Sequence, residues 1–234
     1  MFAYSGELAD YHFKRWLDYQ AAGPDNIVTD KDAFGDDVYH ITNPILDKIN
    51  GWYRGRAYLY DNEAVEDEME SLPDTIEQVI RQFGVKLICV DNLMTAMDVG
   101  INDNLYQAQS AFVHRLKQIA VKYDVAIVLV AHPRKIKEGF TNDDVSGSGD
   151  ITNRVDTVLA YSRNPDKHME EDCDSHLIVT KNRLFGKLTK QNEPIELYYS
   201  QKSKRITSAS GFASGPKRYG WENQPTQYAD FEEI

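Results

Sequence analysis

Two long apolar runs in the middle of the chain predict buried strands. The first lies within residues 85–92, and its apolar part ends at Asp91, which Asn92 follows. The second spans residues 125–132 and ends in His132. Runs of aliphatic and β-branched residues with almost no polar alternation are typical of strands that are covered on both faces of a parallel sheet. Because the carboxyl ends of parallel strands meet at one edge, where open α/β sheets bind ligands, we expect Asp91 and His132 to lie close together.

Segments with helical spacing of apolar residues separate these strands. The predicted helices cover residues 7–22, 44–53, 73–83 and 104–123. Two further strands are predicted at residues 2–4 and 56–61. Helices that alternate with buried strands in this way are typical of α/β folds. We therefore predict an α/β core with a mostly parallel central sheet flanked by helices.

The pattern changes after residue 150. Three strands with short connections are predicted at residues 155–161, 176–181 and 195–199, and at least the last pair is expected to form an antiparallel hairpin. The following residues are rich in Ser, Gly and Pro, and the chain ends in acidic and aromatic residues. We expect one core over residues 1–206 and a flexible acidic C-terminal tail over residues 207–234.

Composition excludes several classes of protein. No apolar run reaches the roughly 18 residues that suggest a membrane span, and no leader precedes the first helix. Cys89 lies inside an apolar strand and Cys173 lies elsewhere, which disfavours a disulfide framework or a zinc site. The expected location is therefore a reducing cytoplasm.

The formal net charge of −11 argues against attraction of nucleic acid to the whole surface. The charges are unevenly distributed, however. Every charged residue from position 61 to position 77 is acidic, whereas seven cations between positions 181 and 205 face only Glu193 and Glu196. A basic patch can therefore exist on this acidic chain.

Three strand-end residues have alternative interpretations. Asp91 either holds the metal of a nucleotide or caps the next segment. Glu7 either faces the same sheet edge or complements the dipole of the helix it precedes. His132 either reaches the edge or is a hydrogen-bonded core histidine. The glycines and serines of residues 144–150 are compatible with close approach to a phosphate and equally with a plain loop.

These 234 residues contain no P-loop of the form Gly-x-x-x-x-Gly-Lys-Ser/Thr. Gly186 and Lys187 match the Gly-Lys pair of this motif. However, Leu188 occupies the position of the Ser or Thr, and Lys181 occupies the position of the first glycine. The sheet edge therefore lacks the usual phosphate-binding loop.

Five motifs, taken together and in order, resemble the RecA-type motor domain of the hexameric replicative DNA helicases, which include bacterial DnaB, mitochondrial Twinkle and the phage primase-helicases. They lie at residues 4–7, 87–92, 130–135, 147–158 and 181–186. The resemblance covers residues 1–206 and is nearest to the phage and Twinkle branch. It implies an enzyme that binds ATP and Mg²⁺ and unwinds duplex DNA by translocating on single-stranded DNA as a hexameric ring.

The resemblance also implies a role for each matching residue. Glu7 matches the glutamate that orients the attacking water, and Asp91 matches the Walker B aspartate that holds Mg²⁺ through water. His132 resembles a sensor of the γ-phosphate. Asn153 resembles a second, amide-bearing phosphate sensor.

Two cations complete the implied ATP site from a neighbouring subunit. Arg183 resembles the arginine finger, and Lys181 lies beside it. DNA contacts are implied for the loops that face the channel of the ring. The candidate residues are Arg134, Lys135, Lys137, Ser146, Gly147 and Ser148. Ordinary solvated loop charges are the alternative for the lysines.

In such helicases the P-loop precedes the strand that here ends at Tyr4, so we expect a fragment that is inactive and forms no stable hexamer by itself. The alternatives are a non-hydrolysing RecA-like module that docks on helicase or DNA, and a RecA or KaiC relative. The spacing of Lys181 and Arg183 favours the helicases. The acidic tail resembles helicase tails that contact a replication polymerase or primase, although a solvated end explains it as well.

Overall fold

The computed structural model describes residues 1–61, 71–97, 104–132, 149–190, 193–208 and 217–223. The strands are β1 (Phe2–Ser5), β2 (Val28–Lys31), β3 (Asp37–His40), β4 (Tyr58–Leu59), β5 (Leu87–Asp91), β6 (Ala126–Leu129), β7 (Thr157–Arg163), β8 (Ser175–Asn182), β9 (Ile195–Tyr199) and β10 (Ile206–Ser208). The α-helices are α1 (Asp10–Ala22), α2 (Asn43–Tyr53), α3 (Leu72–Phe83), α4 (Leu93–Ala96), α5 (Leu105–Tyr123) and α6 (Gly149–Arg154). Short 3₁₀ helices cover Pro24–Asn26 and Gly220–Asn223.

A parallel sheet in the order β4-β1-β5-β6 forms the centre of the molecule. Ile88 and Val90 of β5 are completely buried, and they pack with side chains from α3 and α5. The register places Ser5 opposite Asp91, so β1 and β5 end together. The predicted α/β class with a mostly parallel central sheet is thus confirmed.

Local sequence signals set the ends of the helices that cover this sheet. Pro73 lies in the first turn of α3, and Gly84 ends the helix with a left-handed backbone (φ 64°). The side chain of Asn104 accepts hydrogen bonds from two backbone amides of α5 and so fixes the start of that helix. These bounds agree with the predicted helices to within one residue.

The antiparallel part is larger than the predicted hairpin. Strands β7 to β10 form a separate four-stranded sheet in the order β10-β9-β8-β7. The register of β7 and β8 shifts between Val158 and Leu159, which leaves Thr180 as the extra residue of a bulge. A bulge bends the strand and redirects the neighbouring side chain, which here belongs to Lys181.

A second antiparallel pair, β2 and β3, was not predicted. Both strands are largely exposed, so they lack the apolar alternation that marks a strand on a core. The predicted strand at 56–61 shortens to Tyr58–Leu59. Both differences arise where pairing with another strand, rather than burial, defines the element.

The last four carbonyl oxygens of α1 all have hydrogen-bond donors, two of them close in sequence and two distant. A helix leaves its last four carbonyl oxygens without internal partners. Here each of the four accepts a hydrogen bond of 2.8 to 3.1 Å, and the donors are, in order along the helix, Gly23 N, Arg205 Nε, Trp221 Nε1 and Asn26 Nδ2.

Trp221 lies within the segment predicted as a flexible tail. Its side chain is only 2% exposed and joins a cluster with Tyr19, Ile27 and Ile49. Trp221 and the partly buried Tyr219 therefore pack on the core. Of the predicted tail over residues 207–234, residues 209–216 and 224–234 lie outside the described residues.

Candidate functional site

The turn after β1 is pressed against the turn after β5. The backbone amide of Gly6 donates to the carbonyl oxygen of Asp91 over 2.7 Å. A Cβ atom on Gly6 would lie only 2.1 Å from Oγ1 of Thr95, so no side chain fits there. This close approach brings Glu7 to the carboxyl edge of the parallel sheet.

Glu7 lies in the loop between β1 and α1. Helix α1 begins at Asp10, which is the acidic residue of its first turn. The alternative in which Glu7 complements the helix dipole is therefore wrong, because Glu7 precedes the helix by three residues. Its carboxylate instead faces two side chains from the neighbouring strand ends.

Asn92 joins these side chains. Its Nδ2 donates to Oε1 of Glu7 over 2.5 Å and lies 3.3 Å from Nε2 of His132. The same His132 nitrogen lies 3.5 Å from Oε1 of Glu7. The residues after β1, β5 and β6 thus meet at one edge, as the strand pattern predicts for Glu7, Asp91 and His132.

The alternative interpretation of Asp91 as a helix cap is also wrong. The N-cap of α4 is Asn92, whose Oδ1 accepts from the amides of Met94 and Thr95. Asp91 itself is the last residue of β5 and does not cap the helix. It lies opposite Ser5 of β1, at the carboxyl end of both strands.

His132 is not a core histidine. Its side chain is 60% exposed, and β6 ends three residues earlier, at Leu129. The intervening chain continues beside β5, because Val130 N donates to Val90 O over 2.9 Å and Leu93 N donates to Val130 O over 2.8 Å. These bonds carry His132 to Glu7.

The edge is electrostatically acidic. Burial, and then the negative charge of Glu7, raise the pKa of Asp91 above its ordinary value, while His132 opposes the shift. Ionisation of Asp91 is thus less favourable in the folded chain than in a free aspartate. A cavity of about 350 Å³ adjoins the edge, lined by Tyr4, Gly6, Glu7, Leu8, Ala9, Asp10, Asp61 and Thr95.

Asp91 and Glu7 fit a magnesium ion whose remaining ligands are water and phosphate oxygens. Within the described ranges, no group of three or more His, Cys, Asp and Glu side chains can hold a metal by itself. Mg²⁺ keeps several waters and needs only one or two carboxylates when phosphates supply the remaining ligands. Asp91, with Glu7 nearby, meets that requirement.

A second, basic group of residues lies on the antiparallel sheet. Lys181 Nζ donates to the carbonyl oxygen of Thr152, and Arg183 Nη2 donates to that of Asn153 over 2.7 Å. Both carbonyls belong to α6. Burial, followed by repulsion from Arg183, lowers the pKa of Lys181, and Asp156 opposes this shift.

Asp156 organises this basic group and was not identified from the sequence. It forms an ion pair with Lys117 of α5 and lies 3.9 Å from Nη1 of Arg183. The Arg183 side chain remains 52% exposed. Asn153 contributes its carbonyl oxygen, and the phosphate-sensing role of its amide stays a prediction.

Asn92 likewise lies in one of the five motifs, at residues 87–92, and the sequence assigns it no role of its own. The signal that could have identified it is a short polar side chain directly after a buried strand, with Thr three residues later, as in a capping box. The predicted DNA-binding residues lie outside the described residues; they are Arg134, Lys135, Lys137, Ser146, Gly147 and Ser148.

Known proteins share this architecture. Residues 45–138, which include Asp91, match a sequence family described as AAA domain. The structure of a DnaB-like replicative helicase, determined with its interactions with primase, superposes with a TM-score of 0.65 at 16% identity, over 88% of this chain and 49% of that chain. The solved ATPase domain of a second protein gives a TM-score of 0.63 at 16% identity, over 88% and 73%. The chain has a RecA-like fold.

The RecA-like chain spans about half the length of that DnaB-like helicase. A KaiC-like protein from Pyrococcus horikoshii OT3 shares the fold more distantly, with a TM-score of 0.53 at 10% identity over 88% of this chain and 75% of that chain. No curated protein matches the chain. Within the described ranges, every helix is too short or too polar to cross a membrane.

Proposed function

We propose that this RecA-like chain is part of an ATP-driven replicative DNA helicase. The observation that carries the proposal is the meeting of Glu7 and His132 through the buried Asn92 at the carboxyl edge of the parallel sheet, where Asp91 ends β5. The similarity to a DnaB-like helicase and to a solved ATPase domain supports the same assignment.

In this proposal each residue at the edge has a distinct task. Glu7 accepts a hydrogen bond from the water that attacks the γ-phosphate and so orients it. His132, 3.5 Å from Glu7, contacts the γ-phosphate and links its presence to the chain that follows β6. Asp91 anchors the hydration shell of Mg²⁺, which when bound neutralises charge on the phosphates.

The basic group supplies the complementary half of the site to a neighbour. Arg183 is half exposed and is held by a hydrogen bond to the Asn153 carbonyl and by Asp156 at 3.9 Å. It can therefore be redirected to the ATP of an adjacent identical subunit, with Lys181 beside it. Such a head-to-tail contact closes into a ring, here a hexamer. Single-stranded DNA then passes through the channel of the ring, with Lys135 and Ser148 among its proposed contacts.

We further propose that the protein acts in the cytoplasm of a bacterial or phage-infected cell, within the phage and Twinkle branch. A replication polymerase or primase is the proposed partner of the acidic C-terminal residues. Because these 234 residues contain no P-loop, we expect them alone neither to hydrolyse ATP nor to form a stable hexamer.

Calorimetry with a non-hydrolysable ATP analogue and Mg²⁺ tests the proposal. The chain is compared with a fusion in which a strand and P-loop segment precede Met1, and with the same fusion carrying Asp91→Asn. Binding by the fusion alone, weakened by Asp91→Asn, supports the motor. Failure of both forms to bind contradicts it.

A non-hydrolysing RecA-like module that docks on helicase or DNA is the second candidate. It is favoured by the absence of a P-loop from these residues and by the engagement of Arg183 within its own chain. Tight binding of the analogue without the fusion, or binding of single-stranded DNA without any nucleotide effect, favours this module over the motor.

A further inference from the structure

Asn92 occupies the centre of the candidate site and is fixed from two sides. The residue is 1% exposed. Its Oδ1 accepts from Met94 N over 2.9 Å and from Thr95 N over 3.2 Å, which caps α4. Its Nδ2 donates to Oε1 of Glu7 over 2.5 Å and faces Nε2 of His132 at 3.3 Å.

Only an amide satisfies both ends of this arrangement. The two backbone amides of α4 require an acceptor, and the Glu7 carboxylate requires a donor. Because Oδ1 is committed to the helix cap, Nδ2 must point toward Glu7. The cap therefore determines the direction in which the donor points.

Packing holds a buried side chain in one position, but the exposed Glu7 side chain requires a hydrogen-bond donor for this. Its side chain is 55% exposed and lies in a loop, so it loses rotamer entropy when it is held in one position. Hydrogen bonds to charged groups are among the strongest in proteins. A buried, capped donor is the means by which an exposed carboxylate can be held at one place.

We propose that Asn92 is the positioning residue for Glu7, which it ties to β5 and α4 through a single hydrogen bond. The meaning of Glu7 as the water-orienting group rests on the proposed function, whereas the bond between Asn92 and Glu7 can be tested without it. Two titratable side chains face Asn92, namely Glu7 after β1 and His132 after β6, and a third titratable residue, Asp91, precedes it at the end of β5.

The test uses the 234-residue chain and a double-mutant cycle of Asn92→Asp and Glu7→Gln. Asn92→Asp keeps the acceptor that caps α4 but turns the donor into a carboxylate that faces Glu7. We expect the unfolding equilibrium constant in urea at pH 8 to rise roughly tenfold to a hundredfold. Adding Glu7→Gln reverses donor and acceptor, so the double variant should recover most of this loss.

The pH dependence separates this role from capping alone. The introduced carboxyl lies beside Glu7 and Asp91, so its protonated form is favoured in the folded chain. The loss of stability caused by Asn92→Asp should therefore shrink as the pH falls toward about 4, the ordinary pKa of aspartate, because the protonated carboxyl can donate to Glu7. Thr95→Val is the control: it weakens the same cap, and its effect should be equal with Glu or Gln at position 7.

An Asn92→Asp penalty that is independent of both pH and residue 7 overturns the proposal. If Asn92→Asp does not fold while the double variant does, the proposal is supported. If neither folds, Asn92→Ala is measured in both backgrounds, and an unchanged effect of Glu7→Gln overturns it. Failure of the fused protein to bind nucleotide would refute the proposed function and leave this coupling as it is.

Discussion

The two candidate groups of this chain differ in charge and in how their side chains are held. At the edge of the parallel sheet, Glu7, Asn92 and His132 contact one another through side-chain atoms. On the antiparallel sheet, Lys181 and Arg183 instead donate to backbone carbonyl oxygens of α6. The first group is acidic, and its side chains hold one another in place. The second group is basic and is held by neutral carbonyl oxygens, with Asp156 near Arg183.

This difference indicates which group is suited to act within the subunit and which toward a neighbour. A hydrogen bond to a neutral carbonyl is weaker than one between charged partners, so Arg183 can exchange it for a phosphate at little cost. The acidic group cannot exchange its contacts in this way, because Asn92 is buried and also caps α4. The predictions below test this contrast, beginning with the largest effect.

Arg183→Ala should reduce the ATPase rate of the P-loop fusion roughly 10³-fold or more, because an arginine finger supplied in trans contributes that much. The rate is measured at saturating ATP, with Lys187→Ala as the charge-matched control in the same loop. Mixing Arg183→Ala subunits with Glu7→Gln subunits should restore part of the rate. A complete absence of recovery would mean that Arg183 acts within its own chain.

Gly6→Ala should destabilise the acidic edge by about 1–3 kcal/mol, the usual cost of forcing an atom into a packed region. The added Cβ would lie 2.1 Å from Oγ1 and 2.3 Å from Cβ of Thr95. Urea unfolding measures the effect. Gly51→Ala is the control, since it lies within α2 with open space around it and should be neutral or stabilising.

Asp91→Asn should stabilise the chain by up to about 1 kcal/mol at pH 8, a value reduced for solvent screening. The folded-state pKa of Asp91 is raised, so its ionised form costs stability above the ordinary aspartate pKa. The gain should disappear as the pH falls below about 4. Unfolding curves across this pH range, without nucleotide or Mg²⁺, check the sign.

Asp156→Asn should have a smaller effect of opposite sign, a loss of about 0.5 kcal/mol at pH 8. This carboxylate pairs with Lys117 and lies near Arg183, and all three side chains are partly exposed. The loss should vanish in about 1 M salt, because salt screens partly exposed pairs. The same type of substitution would then distinguish the two groups by sign, and a stabilising Asp156→Asn would remove the contrast.

Much of the fold could be predicted because it follows from local patterns. The alternation of buried strands with amphipathic helices identifies the sheet, and parallel strands necessarily bring Asp91 and Glu7 to one edge. The bounds of α3 and α5 follow from Pro73, Gly84 and Asn104 in the same way.

The remaining features depend on side-chain direction or on distant partners. Whether Asn92 or Asp91 caps α4 depends on the direction in which each side chain leaves β5, and Thr95, three residues after Asn92, is the local signal for it. The four-stranded antiparallel sheet requires β10, which has only three residues. The anchor at Trp221 lies in a segment whose composition suggests disorder.

That anchor has a consequence for the order in which the chain can fold. The carbonyl oxygens of Gln20 and Ala21 are bound by Arg205 and Trp221, 185 and 200 residues later in the chain. Contacts of such sequence separation form slowly, since a long loop must close before they contribute. During synthesis, the carboxyl end of α1 therefore lacks two of its hydrogen-bond donors until Trp221 has left the ribosome.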